Sequence, residues 1–151
     1  MMKIFFLFIS LIFITQCGYS PIHTQNDKNF EIKKIELNKS KNAKIIEARL
    51  KNYKNKSSAL FYYDLKIKTS EQKKIISKDK KGKVLLLRMI INLNLEVFEK
   101  EKLIMQKKYA SSFDYKNMSK KFELSDYEDE IQIDIYNKII SKILTDLTNL
   151  K

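Results

Sequence analysis

Cysteine is nearly missing from this 151-residue chain: Cys17 is the only one, so no disulfide can close within it and stability must come from a core. Glycine stands only at positions 18 and 82, and proline only at 21. A phosphate-cradling loop needs several glycines in one short stretch, and the G-x-S-x-G nucleophile elbow needs two around a serine; neither occurs. The lone histidine, His23, has no second His or Cys to share a metal, which excludes H-E-x-x-H and C-x-x-C sites. No catalytic residue, metal ligand or cofactor motif is visible, so the chain reads as a binding, plugging or scaffolding protein and not as an enzyme.

Acidic residues are also short, with 18 Asp and Glu against 30 Lys and Arg, for a net charge of +12. Arginine occurs only at positions 49 and 88, so almost all of the positive charge is lysine. Lys, Ile and Asn are all abundant where Gly and Pro are scarce. That skew fits a drift in overall composition and weakens the charge as evidence of function. A basic surface can meet nucleic acid, anionic headgroups or a phosphorylated glycolipid, or can simply be a solvated lysine face.

What is present begins with a leader. Lys3, the apolar run 4–14 and then Thr15-Gln16-Cys17-Gly18 form a basic start, a hydrophobic stretch and a short polar exit, the pattern of a secretion signal. The run is too short to span a bilayer, which needs about 20 residues. An unpaired Cys at the cleavage point is what bacterial lipoprotein maturation requires, because its thiol carries the diacylglycerol and, after cleavage, its amine carries an acyl chain such as palmitate. Ile14 and Thr15 fit the lipoprotein signal box, whereas Gln16 departs from the Gly, Ala or Ser usual before the Cys. The alternatives are an ordinary signal peptide, or an uncleaved anchor with an incidental Cys. The organisation expected is a signal peptide at 1–16, a lipidated N-terminus and tether at 17–29, and one domain at 30–151. Secretion argues against a nucleic-acid partner.

Hydrophobic periodicity gives the domain. Residues 30–37 read as a strand whose alternation is interrupted at Lys33-Lys34, and 43–53 as a helix with Ala43, Ile46, Leu50 and Tyr53 on one stripe. Phe61, Tyr63, Leu65 and Ile67 alternate with polar residues in a half-buried strand over 60–69, with its continuation to 77 left open. Residues 78–83 read as a turn, 84–98 as a hydrophobic strand and 103–115 as a fourth strand; the turn 99–102 lacks the glycine a tight hairpin favours. Ser125-Asp126-Tyr127-Glu128 matches a capping box, and Asp129 and Glu130 extend an acidic helix start. Ile131, Ile135, Ile139, Ile143 and Leu147 then step by four along a long C-terminal helix. The expected fold is α+β: a two-layer sandwich, order β-α-β-β-β-α, with a largely antiparallel sheet of about four strands and two helices on one face. The other face would carry Tyr62, Lys66, Lys68, Leu86, Arg88, Ile90, Asn92 and Asn94 as a mixed apolar and basic contact surface.

Cys17-Gly18-Tyr19-Ser20-Pro21-Ile22-His23 resembles the mature start of the lipopolysaccharide-assembly lipoprotein LptE family in its alphaproteobacterial form, with His23 replacing an aromatic. Arg88 before the alternating strand, the strand end Tyr109-Ala110-Ser111-Ser112-Phe113-Asp114-Tyr115, and Ser119 and Phe122 before an acidic helix start are similar as well. The resemblance implies an outer-membrane lipoprotein, anchored through Cys17 on the periplasmic face, that plugs and helps assemble an LptD-like β-barrel. It further implies assistance in placing lipopolysaccharide in the outer leaflet, with direct contact to the glycolipid. Arg88, Lys107, Lys108, Lys120 and Lys121 are the candidate residues for its phosphates. The other readings are a generic envelope lipoprotein that scaffolds a different membrane complex, and a small lipid carrier with an enclosed acyl-chain cavity.

Overall fold

The computed structural model describes residues 30–38, 40, 42–54 and 59–150. The expected signal peptide, Cys17 and the tether lie outside the described residues. The elements run β1 (Phe30–Leu37), α1 (Ala43–Leu50) with a 3-10 turn (Lys51–Tyr53), β2 (Phe61–Lys78), β3 (Val84–Glu99), β4 (Lys102–Lys116) and α2 (Lys121–Thr148). This is the expected β-α-β-β-β-α order. The sheet order is β1-β2-β3-β4, with β1 parallel to β2 and the other neighbours antiparallel. The parallel pair is the one that needs a crossover, and α1 supplies it.

The lysine pair that breaks alternation in β1 is a bulge: Ile32 opposes Tyr63, Lys34 opposes Asp64, and the register shifts between them. The bulge puts Ile35 and Leu37 on the same inward side as Phe30 and Ile32, which are 2% and 0% exposed, while Lys33 lies over the Tyr62 ring at 4.3 Å. One core joins both layers. Ile91, Leu93, Leu95 and Val97 of β3 are fully buried against Ile46 and Leu50 of α1 and Tyr136, Ile139 and Ile143 of α2. The face expected to be inward on β3 is inward from Leu87 onward; Leu85 is exposed because it lies toward the far end of the hairpin.

One local expectation is corrected. Ser125 is not a helix cap. The helix begins at Lys121, after Lys120, and no side chain caps it. Leu124 N–H already donates to Lys120 O at 3.1 Å, so the first turn lies ahead of the serine. Glu128, the other half of the predicted box, instead accepts from the Tyr115 hydroxyl at 2.7 Å and from Lys73 Nζ at 2.6 Å. The glycine-free turn after β3 is nonetheless tight: Glu99 opposes Lys102, and Lys100 and Glu101 take φ of 48° and 67°. Two successive left-handed residues make the primed turn that matches strand twist. Gly82, at φ 82°, serves the β2–β3 turn, where Asp79 Oδ1 accepts the N–H groups of Lys81 and Lys83 at 2.9 and 2.8 Å.

Candidate functional site: the open sheet face and the basic end

The side chains that β2, β3 and β4 turn away from the helices share one surface. Opposing residues form cross-strand rows: Lys66, Glu96 and Gln106; Lys68, Asn94 and Lys108; Ser70, Asn92 and Ala110; Gln72, Ile90 and Ser112; Lys74, Arg88 and Asp114. The composition is the mixed apolar and basic one expected from the sequence. At one end Phe98, Asp64, Lys34, Glu36, Lys66 and Glu101 line a shallow depression of about 260 Å³.

Arg88 lies on this face, but its guanidinium is engaged. Nε and Nη2 donate to the two carboxylate oxygens of Asp114 at 2.5 and 2.7 Å, a bidentate fork between opposing residues of β3 and β4. The hydrogen bond holds the Arg88 pKa above and the Asp114 pKa below their ordinary values. An ion pair at the strand edge is the other reading the sequence leaves for Arg88, and the structure shows it; the sequence does not name Asp114 as the partner. The two residues share a face only once the β3–β4 register is known, and residue types alone do not fix a register.

The five candidate cations do not converge. Lys108 shares the open face with Arg88 but opposes Asn94, about 20 Å along the strand at roughly 3.4 Å per residue. Lys107 points to the helix side, where Nζ meets Asp146 Oδ2 at 2.7 Å and lies 5.5 Å from the Tyr109 ring. Lys120 pairs with Glu123 at 2.6 Å at the start of α2, next to Lys121. Lys108 and Lys121 carry no ion pair with another described residue.

On the helix side, two similar clamps fasten α2 to β4. The Tyr109 hydroxyl donates to Asp146 at 2.5 Å beside Lys107, and the Tyr115 hydroxyl donates to Glu128 beside Lys73. Burial pushes the Asp146 carboxyl up, but the bonds from Lys107 and Tyr109 together outweigh it and leave its pKa below the usual value. A third tyrosine, Tyr136, donates to Glu71 at 2.8 Å; Glu71 also accepts from Asn42, which reaches on to Gln132. These are structural ties, with every group partnered. Among the described residues no group of three His, Cys, Asp or Glu is placed to hold a metal ion, and no helix is long and apolar enough to cross a membrane.

No protein-family model matches the chain, and no curated protein matches it by sequence. Solved structures do match. Rare lipoprotein B from Shewanella oneidensis superposes with a TM-score of 0.56 at 18% identity, over 78% of this chain and 98% of that one. A minor lipoprotein from Acinetobacter baumannii gives 0.59 at 11% identity, over 81% and 92%. Lipoprotein B from Nitrosomonas europaea gives 0.59 at 10% identity, over 83% and 88%. The fold is that of these bacterial lipoproteins. At such identities the likeness concerns the fold, and it extends over nearly the whole length of each of them.

Proposed function

We propose that this chain is a non-catalytic outer-membrane lipoprotein, anchored through Cys17 on the periplasmic face. It fills the lumen of an LptD-like β-barrel, helps that barrel assemble, and assists lipopolysaccharide on its way to the outer leaflet. What carries the reading is a conjunction: a Cys-Gly-aromatic-x-Pro start that resembles the LptE family, joined to a domain with the fold of known lipoproteins over 98% of one of them. The open sheet face supports it. A surface with Ile90 and Phe98 among Lys66, Lys68, Lys108 and the Arg88–Asp114 pair suits the polar wall of an outer-membrane barrel. The separation of the candidate cations favours dispersed contacts with glycolipid phosphates over one compact pocket, with Lys108 and Lys121 the least engaged. The space an acyl-chain carrier would need, between helices and sheet, is filled by Tyr136, Ile139 and Ile143 at 0–1% exposure.

The test is purification of the untagged chain from detergent-solubilised outer membranes, with mass spectrometry of whatever accompanies it. A stoichiometric large β-barrel with a periplasmic domain is expected. Recovery mainly from the inner membrane, or from the outer membrane without a barrel, would overturn the reading.

A further inference from the structure

A groove of about 390 Å³ runs between the two helices. Arg49 in the last turn of α1, Asn52 of the 3-10 turn, and Asn137, Ile140, Ser141 and Leu144 of α2 line it, and no Asp or Glu does. Two polar groups in this lining lack a partner among the described residues. The guanidinium of Arg49 is exposed, with no ion pair and no hydrogen bond. Asn137 Oδ1 is buried and accepts no hydrogen bond, a cost that nearly all buried polar atoms avoid. The neighbouring Ser141 hydroxyl does not serve it, because that hydroxyl donates to the Asn137 backbone carbonyl at 3.0 Å.

The residue type at position 49 narrows what the groove takes. A cation in the last turn suits the helix dipole, but lysine does that equally well, and lysine supplies nearly all the other positive charge of the chain. What arginine adds is a rigid planar fork that grips a carboxylate through two N–H groups. The other arginine, Arg88, holds Asp114 in that way. Arg49 has the same fork and no carboxylate within the groove to fill it.

We propose that Arg49 takes a carboxylate from a protein partner, an Asp or Glu on the wall of the barrel lumen, which rests on the lumen reading given above. A guanidinium has five N–H donors, and a carboxylate occupies two of them. Drawn into the groove by that carboxylate, Arg49 keeps donors for Asn137 Oδ1, so a single contact supplies both missing partners. A phosphate fits the same fork, but the lining favours protein over lipid. Ile140 is only 3% exposed, and none of the large apolar residues that stand exposed elsewhere lines the groove, so acyl chains find no surface there. An arginine fork that a partner shields from water is a kind of contact that dominates the energy of an interface.

The experiment uses the full chain, each variant carried as a C-terminally tagged second copy and recovered from detergent-solubilised outer membranes. The wild-type chain is expected to bring the barrel with it. Arg49→Glu should cut the barrel recovered by roughly tenfold or more, and Arg49→Lys, which keeps the charge and loses the fork, by less. Asn137→Leu removes the orphan acceptor. The isolated chain should then keep or raise its midpoint in urea while the barrel recovered falls, whereas a purely structural asparagine would move both together. A photo-activatable residue in place of Ser141 should cross-link to a barrel peptide that contains Asp or Glu. Reversing that acid to Arg should restore the barrel to the Arg49→Glu chain. Circular dichroism checks that the Arg49→Glu chain remains folded. Equal barrel recovery with wild type and Arg49→Glu overturns the inference and leaves the lumen reading standing; no barrel with wild type ends both. If Arg49→Glu instead loses binding to lipopolysaccharide micelles with barrel recovery unchanged, the fork belongs to a phosphate and the inference is overturned.

Discussion

Three tyrosines bring their hydroxyls into the interior, and each ends on a carboxylate: Tyr109 on Asp146, Tyr115 on Glu128, Tyr136 on Glu71. Burial first, then the hydrogen bond to the carboxylate and its negative charge, pushes all three pKa values well above the ordinary value of 10. The sign of the consequence is definite. Below pH 10 both folded and unfolded chains hold these protons, and the full contribution to stability is present. Above pH 10 the unfolded tyrosines ionise while the folded ones cannot, so stability falls as pH rises toward the folded pKa values. Urea denaturation between pH 8 and about pH 12 is expected to show this loss, on the order of 1 kcal/mol for each tyrosine per unit of pH above 10. Tyr115→Phe should flatten the slope while costing about 1 kcal/mol near neutral pH through its lost bond. An alkaline slope identical in wild type and Tyr115→Phe would sink this account. The sequence shows Tyr109 on an alternating strand. It does not show that Asp146, far along the chain, supplies the acceptor, because the angle at which α2 crosses the sheet is set by packing.

Elements are legible where one face is buried and obscure where neither is. β3 and the body of α2 carry long apolar periods, and both form as expected. The distal half of β2, residues 71–78, has only Ile75 and Ile76 as apolar residues, and all of it lies exposed or half-exposed. It is a strand because β3 supplies a ladder on one side, a tertiary cause that local pattern does not record. The first turn of α2 escapes the sequence pattern for a related reason. Phe122 stands 78% exposed in it, so no stripe announces the turn, and the serine that resembles a cap sits beyond it. The β3–β4 turn shows local chemistry overridden at a cost. Lys100 and Glu101 occupy left-handed backbone that costs about 1 kcal/mol or more for a residue with a Cβ. Glu101→Gly is therefore expected to raise stability by about 0.5–1 kcal/mol, read as a higher midpoint in urea. A lower midpoint would mean that the Glu101 side chain contributes more than its backbone strain costs.

At the scale of the molecule, the sheet is longer than the layer that covers it. β1 opposes β2 only from Phe61 to Ile67, so beyond that point the sheet is three-stranded. The candidate cations spread over this uneven body, which explains why a reading based on residue type could name them yet not assemble them into a site. The asymmetry has a dynamic consequence. Ile91, Leu93, Leu95 and Val97 in β3 are fully buried, whereas Ile75, Ile76 and Leu85 toward the hairpin end stand 42–52% exposed. Local opening is governed by how much apolar contact an element loses when it opens. The end of the β2–β3 hairpin can open without disturbing the core, while the segments 63–67 and 91–97 can open only with global unfolding. Amide hydrogen exchange should therefore show two classes along the same two strands. Amides near residues 75–78 and 84–87 should exchange early through local opening, and those of 91–97 last, with protection equal to the global stability. Uniform protection along the hairpin would mean that its far end is held by contacts beyond those of the isolated chain, and the edge of β4 and the exposed Ile75 and Leu85 would be the places to look for them.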